Sequence, residues 1–270
     1  MGQTEAGGSS LLTKVNGTDT LTVASYNVHR CVGRDRRHDP ERVASVIEEL
    51  AADVVALQEV DCGYHVHQGL DQLQFLAEAT GYKSVWGPVL YGSRGQYGNG
   101  LLTRHDVLEV REIDLSVAPY QRRGAIDVDL SVRGARVRVI AAHLGLGLRE
   151  RAIQVRRLLQ LLGEPTDQPL ILLGDFNEWR PPSAPLRRLH RHFGRTPGVR
   201  SFPAAFPLLA LDRIWVRPRH ALLAVDVHAS RHARHASDHL PIRAIIDGRW
   251  QVHQTHARPA AKSSRATAKR

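Results

Sequence analysis

The chain has 270 residues, 42% hydrophobic and 24% charged, an ordinary globular composition with ample length for one large core. No apolar run approaches the roughly 18–20 residues of a membrane span, and the Gly/Ser-rich start from Met1 to Ser10 has neither the basic stretch nor the apolar run of a secretory signal. Two cysteines, Cys31 and Cys62, exclude a disulfide framework and a cysteine-built zinc site, and a reducing, cytoplasmic setting is expected.

The net charge is +10, and Arg258, Lys262, Arg265, Lys269 and Arg270 carry part of it near the C-terminus. Such a chain attracts polyanions, nucleic acid first, with anionic lipid a further partner for the basic end. Residues 1–18 read as a flexible leader and 254–270 as a disordered basic tail. Residues 19–253 show no linker and no repeat and read as one domain, expected to be a monomer.

Thr20 to Val28 (TLTVASYNV) is β-branched and apolar and predicts a strand. Asp39 offers an N-cap with Pro40 at the first helical position, and Val43, Val46, Ile47 and Leu50 follow at helical spacing. Asp53 to Leu57 predicts a buried strand, Asp71 to Thr80 a helix stopped by Gly81, and Gly100 to Thr103 another strand. Ala125 to Val132 and Ala135 to Ala142 predict a hairpin turning at Arg133-Gly134. Arg149 to Leu162 is a helix with Ala152, Val155, Leu158, Leu159 and Leu162 on one face. Pro169 to Leu173 predicts a strand, and Ala184 to Phe193 a basic helix with Leu186, Leu189 and Phe193 inward. Leu211 to Val216 and Leu240 to Ile246 close the pattern as strands of an α/β layered domain.

Nearly every apolar run ends or begins at a residue able to hold a metal or a phosphate. The positions are Asn27, Glu59, His143, Asp175 with Asn177, Asp212, and Asp238 with His239. Singly, each is an ordinary loop or turn residue. Together they describe one site, because strand ends that share a sheet edge converge. Carboxylates, amides and two histidines suit metal-assisted hydrolysis of a phosphate ester. Mg²⁺ or Mn²⁺ prefers hard carboxylate oxygens, and Glu59 fits that task. Asp175 suits the orientation of an attacking water, and Asn177 supplies an uncharged donor. His239, paired with Asp212, would be a phosphate-contacting ring held in one tautomer.

Seven stretches resemble the endonuclease/exonuclease/phosphatase superfamily, which has the fold of deoxyribonuclease I. They are SYNV (Ser25 to Val28), LQEVD (Leu57 to Asp61), YGNGLLTR (Tyr97 to Arg104), AAHLGL (Ala141 to Leu146), LLGDFNEW (Leu172 to Trp179), LDRIWV (Leu211 to Val216) and SDHLPI (Ser237 to Ile242). They occur in the family's order and span nearly the whole core. The resemblance implies a four-layer α/β/β/α sandwich of two packed mixed β-sheets flanked by helices. It implies Glu59 as principal metal ligand with Asn27 beside it, and Asp238 near the metal or at a second metal position. It implies Asp175 and Asn177 on the attacking water and His239 on the scissile phosphate, oriented by Asp212. His143 matches the histidine of the nuclease and sphingomyelinase branches.

Two departures stand out. The Tyr97–Arg104 block has no Glu of the kind that orients the His143 counterpart in deoxyribonuclease I. The AP-endonuclease start is absent, and HLGLGLRERAIQ (His143 to Gln154) looks more like bacterial hydrolase and sphingomyelinase-like branches. Arg123, with Arg122, is a candidate phosphate donor, as is Arg30 in a loop that also holds Arg34, Arg36 and Arg37. Tyr91, Tyr97 and Trp179 are candidates for base stacking or cleft packing. The expected activity is a metal-dependent phosphodiesterase, a nuclease first, with a phospholipid or phosphoinositide esterase as the alternative. A non-catalytic basic nucleic-acid-binding protein on the same fold is the reading of another class.

Overall fold

A computed structural model describes residues 19–62, 71–92, 95–163, 167–180 and 183–249. The expected leader and basic tail lie outside the described residues, as do the side chains of Cys62 and Tyr91.

The first sheet contains β1 (Thr20–Asn27), β2 (Val54–Cys62), β3 (Lys83–Gly92), β4 (Gly95–Thr103), β10 (Leu222–Val227) and β11 (Ile242–Asp247), in the order β10-β11-β1-β2-β4-β3. The second contains β5 (Asp106–Asp114), β6 (Gly124–Val132), β7 (Ala135–His143), β8 (Leu170–Asp175) and β9 (Asp212–Arg217), in that order. Each is mixed: β1 runs parallel to β2 and β7 parallel to β8, and the other neighbours are antiparallel.

Alternation along the strands builds three apolar layers. Val23, Val54, Ala56, Leu101 and Ala244 face Ile126, Val128, Val139, Ile171 and Ile214 between the sheets. Helices α1 (Pro40–Leu50) and α2 (Gln72–Thr80) cover the first sheet, packing Val43, Ile47, Leu50 and Leu76 on Tyr26, Val55 and Leu57. Helices α3 (Leu148–Leu162) and α4 (Ala184–Phe193) cover the second through Val155, Leu158, Leu186, Leu189 and Phe193 around Trp215. A single-turn helix, α5 (Ala233–Ala236), follows β10. This is the four-layer sandwich.

The helix boundaries follow from caps. Asp39 Oδ1 accepts the Arg42 N–H at 2.9 Å with Pro40 at the first position, and Asp71 Oδ1 accepts the Gln74 N–H at 2.8 Å. Gly81 closes α2 in the left-handed region at φ 71°. The β6–β7 hairpin turns at Arg133 (φ 52°) and Gly134 (φ 84°) as expected for a two-residue connection.

Three strands have no counterpart in the expected pattern: β3, β5 and β10. All three are sheet edges. An edge strand is not buried on both faces and flanks, so its apolar signal is weak. β5 (DVLEVREID) is largely exposed, and β3 carries Gly87 and Pro88. Behind β5, Asp127 and Asp129 on β6 are buried, and their charges are met by Arg111, Arg136 and Arg138 at 2.6–3.0 Å.

Candidate active site

The parallel pairs β1/β2 and β7/β8 end at one edge, and a single amide joins the two sheets there. Asn27 closes β1, is buried, and donates from Nδ2 to Glu59 Oε1 (3.1 Å) and Asp175 Oδ2 (3.2 Å). Its Oδ1 accepts the His29 N–H at 3.1 Å.

Glu59 reaches this point because β2 is bulged. The register with β4 shifts between Leu57 and Val60, and Glu59 sits at φ 60°. A bulge breaks the in-out alternation and re-aims a side chain. The Tyr97 hydroxyl, on β4, hydrogen-bonds Glu59, and the Arg30 guanidinium lies 5.0 Å above the Tyr97 ring. Burial works against ionised Glu59, but the hydrogen bonds from Asn27 and Tyr97 help hold its pKa below the usual carboxylate range. Burial and the Glu59 charge push the Tyr97 phenol well up, so it stays a donor. Tyr97 was expected to stack or pack; it is the partner of the principal metal-ligand candidate.

On the second sheet the register aligns Gly124, His143, Asp175 and Asp212 across four strands. Gly174 lets this row form. It has φ 144°, and a Cβ there would overlap the carbonyl oxygen of Ala142. Asp175 Oδ2 lies 3.7 Å from His143 Nε2 and 3.7 Å from His239 Nε2, so the carboxylate stands between two imidazoles. Asp212 Oδ2 meets His239 Nδ1 at 2.9 Å and also accepts Ser201 Oγ. Asn177, at φ 49°, donates its N–H to Asp175 Oδ1 (2.9 Å) and its Nδ2 to Leu144 O (2.9 Å). Ser237 Oγ donates to Asn27 O at 2.7 Å, which seats half-buried Asp238 and buried His239 beside the amide.

The two histidines are driven apart. Burial, aided by the Arg123 charge, pushes His143 down to about 3, so the ring is neutral and its contact with Asp175 is not an ion pair. Burial opposes charge on His239 too, but Asp212, Asp175 and Asp238 outweigh it and raise the ring to about 10. Burial lifts Asp175 to about 6, with Asp212 adding to the rise and His239 offsetting it.

A further buried pair braces the loops. Arg151 Nε meets Glu178 Oε2 at 3.3 Å, and Arg151 Nη1 donates to Gly145 O (3.2 Å) and to Leu146 O. The segments after β7 and β8 are therefore tied together. Sequence reasoning missed this pair and Ser201, since neither has a local signature. Ser237 was within reach, one residue before Asp238. Trp179 is exposed, with its ring 5.6 Å from the Arg151 guanidinium and 5.9 Å from that of Arg180. Arg123 is buried beside His143, whereas Arg122 and Arg30 are exposed.

The donor set fits a hard divalent cation. Glu59 and Asp175 meet on the Asn27 amide, Asp212 and Asp238 act with Asp175 on His239, and Asp212 Oδ1 is buried without a hydrogen-bond partner among the described residues. Ligand atoms of Asp175, Asp212 and His239 lie within 4.8 Å of one another. This negative charge exceeds what cationic His239 neutralises. Among the described residues no helix is long and apolar enough to cross a membrane.

Comparison with known proteins shows the family. The chain is 31% identical over 249 residues to the uncharacterized protein YbhP of Escherichia coli K12, covering 84% of this chain and 96% of YbhP. Its fold is similar to an endonuclease/exonuclease/phosphatase from Beutenbergia cavernae (TM-score 0.67, 25% identity, 85% of this chain and 72% of the other). It is also similar to a functionally unknown conserved protein from Enterococcus faecalis (TM-score 0.70, 18% identity, 84% of this chain and 100% of the other). Residues 24–239 match the Endonuclease/Exonuclease/phosphatase family. The chain therefore belongs to that family, whose members hydrolyse phosphoester bonds and in general depend on a divalent metal.

Proposed function

We propose that this protein hydrolyses a phosphodiester with the help of Mg²⁺ or Mn²⁺, and that nucleic acid is its substrate. The observation that supports the chemistry is the meeting of Glu59 and Asp175 on Asn27, with His239 held charged by Asp212 alongside. Glu59 and Asp238, with Asn27 beside them, would hold the cation. When bound, it supplies Lewis-acid stabilisation of charge on the phosphoryl oxygens. Asp175, unprotonated above about pH 6, accepts a proton from the attacking water and aims it, and Asn177 fixes its carboxylate. His239 donates from Nε2 to the phosphate and is the proton source for the departing oxygen. His143, held neutral, accepts or donates a hydrogen bond without adding charge.

Exposed Arg30, Arg34, Arg36 and Arg37 follow Asn27 and favour a polyanionic strand. The Arg34 N–H donates to His235 O at 3.1 Å, so this basic loop is pinned to the segment that carries His239. One observation favours a phospholipid diester instead: Leu146 (69% exposed) and Leu148 (49% exposed) stand just beyond His143.

Hydrolysis of plasmid DNA, RNA, sphingomyelin, a phosphoinositide and bis-p-nitrophenyl phosphate in Mg²⁺, Mn²⁺ and EDTA tests the proposal. The Asp175→Ala/His239→Ala double variant is the control for contaminants. EDTA-sensitive cleavage of a nucleic acid, absent in the double variant, is expected. Preference for a lipid would move the substrate to the second reading. Salt-sensitive nucleic-acid binding without turnover of any diester would leave a non-catalytic binding protein.

A further inference from the structure

Beside His143 a pocket of about 340 Å³ is lined by Tyr120, Gln121, Arg123, Gly145, Leu146, Gly147 and Glu150. We propose that this pocket is a subsite for a second anionic group of the substrate, a phosphate carried next to the scissile diester, with Arg123 as its counter-ion. The proposal deepens the phosphodiesterase reading and rests on it for the identity of the diester.

Arg123 is only 6% exposed, and its Nε is enclosed without a hydrogen-bond partner. Its guanidinium makes no hydrogen bond or ion pair among the described residues, whereas buried Arg151 is met by Glu178 and two carbonyls. A buried guanidinium that lacks an acceptor is unfavourable unless a ligand supplies one. The acid in the pocket wall does not serve. Glu150 turns Oε2 to the Gly147 N–H (3.0 Å) and Oε1 to Gln154 Nε2 (3.3 Å).

The pocket also lies on the first turn of α3, a helix of 15 residues, where the Glu150 carboxylate already accepts the Gly147 N–H, so the counter-charge for a ligand comes from Arg123. Gly147 lets the Tyr120 ring pack closely on this turn, since a Cβ would come within 3.2 Å of Tyr120 Cε1. Arg122 and Arg149, both exposed, are chain neighbours of the lining residues Arg123 and Glu150. The distance to the reaction is short. Gly124 pairs with His143 across β6 and β7, so Arg123 stands at the level of the catalytic row. A flanking phosphate of a nucleic acid and a phosphate on a lipid headgroup have the same chemistry here.

The test compares diesters that differ only in one terminal phosphate. TpT is set against pTpT, and glycerophosphoglycerol against the same compound with a terminal phosphate. Affinities are measured by calorimetry in Mg²⁺ on the full chain carrying Asp175→Asn, alone and with Arg123→Met or Gln121→Trp. The second substitution fills the pocket from its exposed lip and keeps Arg123.

At least about tenfold tighter binding of the phosphorylated member is expected in one pair, and that pair names the source. Both added substitutions are expected to shrink the ratio to about twofold or less. Equal affinities within both pairs, or a ratio that survives Gln121→Trp and Arg123→Met, would overturn the subsite. If Arg123→Met does not fold, Gln121→Trp decides alone. Hydrolysis of TpT by the unaltered chain with no phosphate preference would remove the subsite and keep the phosphodiesterase. An Arg123-dependent preference without hydrolysis of any diester would do the reverse.

Discussion

Asp212 Oδ2 holds His239 Nδ1 at 2.9 Å, and that carboxylate, together with Asp175 and Asp238, outweighs the burial that would strip the ring of its proton. His239 thereby keeps its charge to about pH 10 and turns Nε2 toward Asp175. Asp212→Asn removes the charge and leaves the shape. A fall in kcat of about 10²–10⁴ on bis-p-nitrophenyl phosphate is expected, the range for an orienting carboxylate behind a catalytic histidine. The sign on pH follows. Loss of the carboxylate lowers the ring's pKa, so the alkaline limb of the rate profile moves to lower pH. A profile that does not move would contradict the pairing.

Glu59 depends on Tyr97 as well as on Asn27. Glu59→Gln should cost most of the activity, with partial recovery in excess Mg²⁺. Tyr97→Phe removes one donor and should weaken metal affinity by about 10–100-fold, the usual cost of losing a residue that orients a ligand. Calorimetric titration of Mn²⁺ into both variants checks this. Unchanged affinity in Tyr97→Phe would show that the bulge and Asn27 suffice to position Glu59.

Gly174→Ala probes the backbone that carries Asp175. The backbone there has φ 144°, and the new methyl group would overlap the Ala142 carbonyl, so β7 and β8 must separate. A loss of about 2–4 kcal/mol in stability is expected, from strain and overpacking together. Urea unfolding measures it, and a loss below about 1 kcal/mol would show that the two strands can yield there.

Glu49 offers a pH test away from the catalytic groups. It contacts His228 Nε2 at 2.8 Å and His232 Nδ1 at 2.6 Å, joining α1 to the segment before His239. Burial opposes its ionised form, but hydrogen bonds with Ser230, His228 and His232 lower its pKa from 4.5 to about 2. A lowered carboxylate pKa stabilises the fold above the unfolded value and loses that effect as pH falls through the folded one. Glu49→Gln should therefore cost about 1 kcal/mol at pH 7, a modest figure because the group is partly exposed. The difference should shrink from pH 4.5 toward pH 2. Urea titrations across that range would show a constant difference if the ion contacts were unimportant.

The strands buried on both sides were legible in the chain, because two-sided burial writes long apolar runs such as PLILL and VRVIAA. The caps at Asp39, Asp71 and Gly81 were legible for a local reason: each satisfies its own helix end. The edge strands β5 and β10 were not, since much of each faces water, nor was edge strand β3, whereas β9, an edge that is buried along nearly its whole length, was. The residues at the strand ends stood out as chemically apt in their order along the sequence. Their distances did not. That Glu59 leaves the alternation at a bulge, that Tyr97 meets it there, and that Arg123 is buried without an acceptor are all products of register between distant strands. The sequence by itself determined an α/β layered domain and the inventory of reactive groups, because burial patterns and residue chemistry are local; the four layers followed from the family resemblance of its motifs. Only the tertiary structure decided which histidine is charged and which neutral, because a pKa depends on neighbours that chain order does not place together.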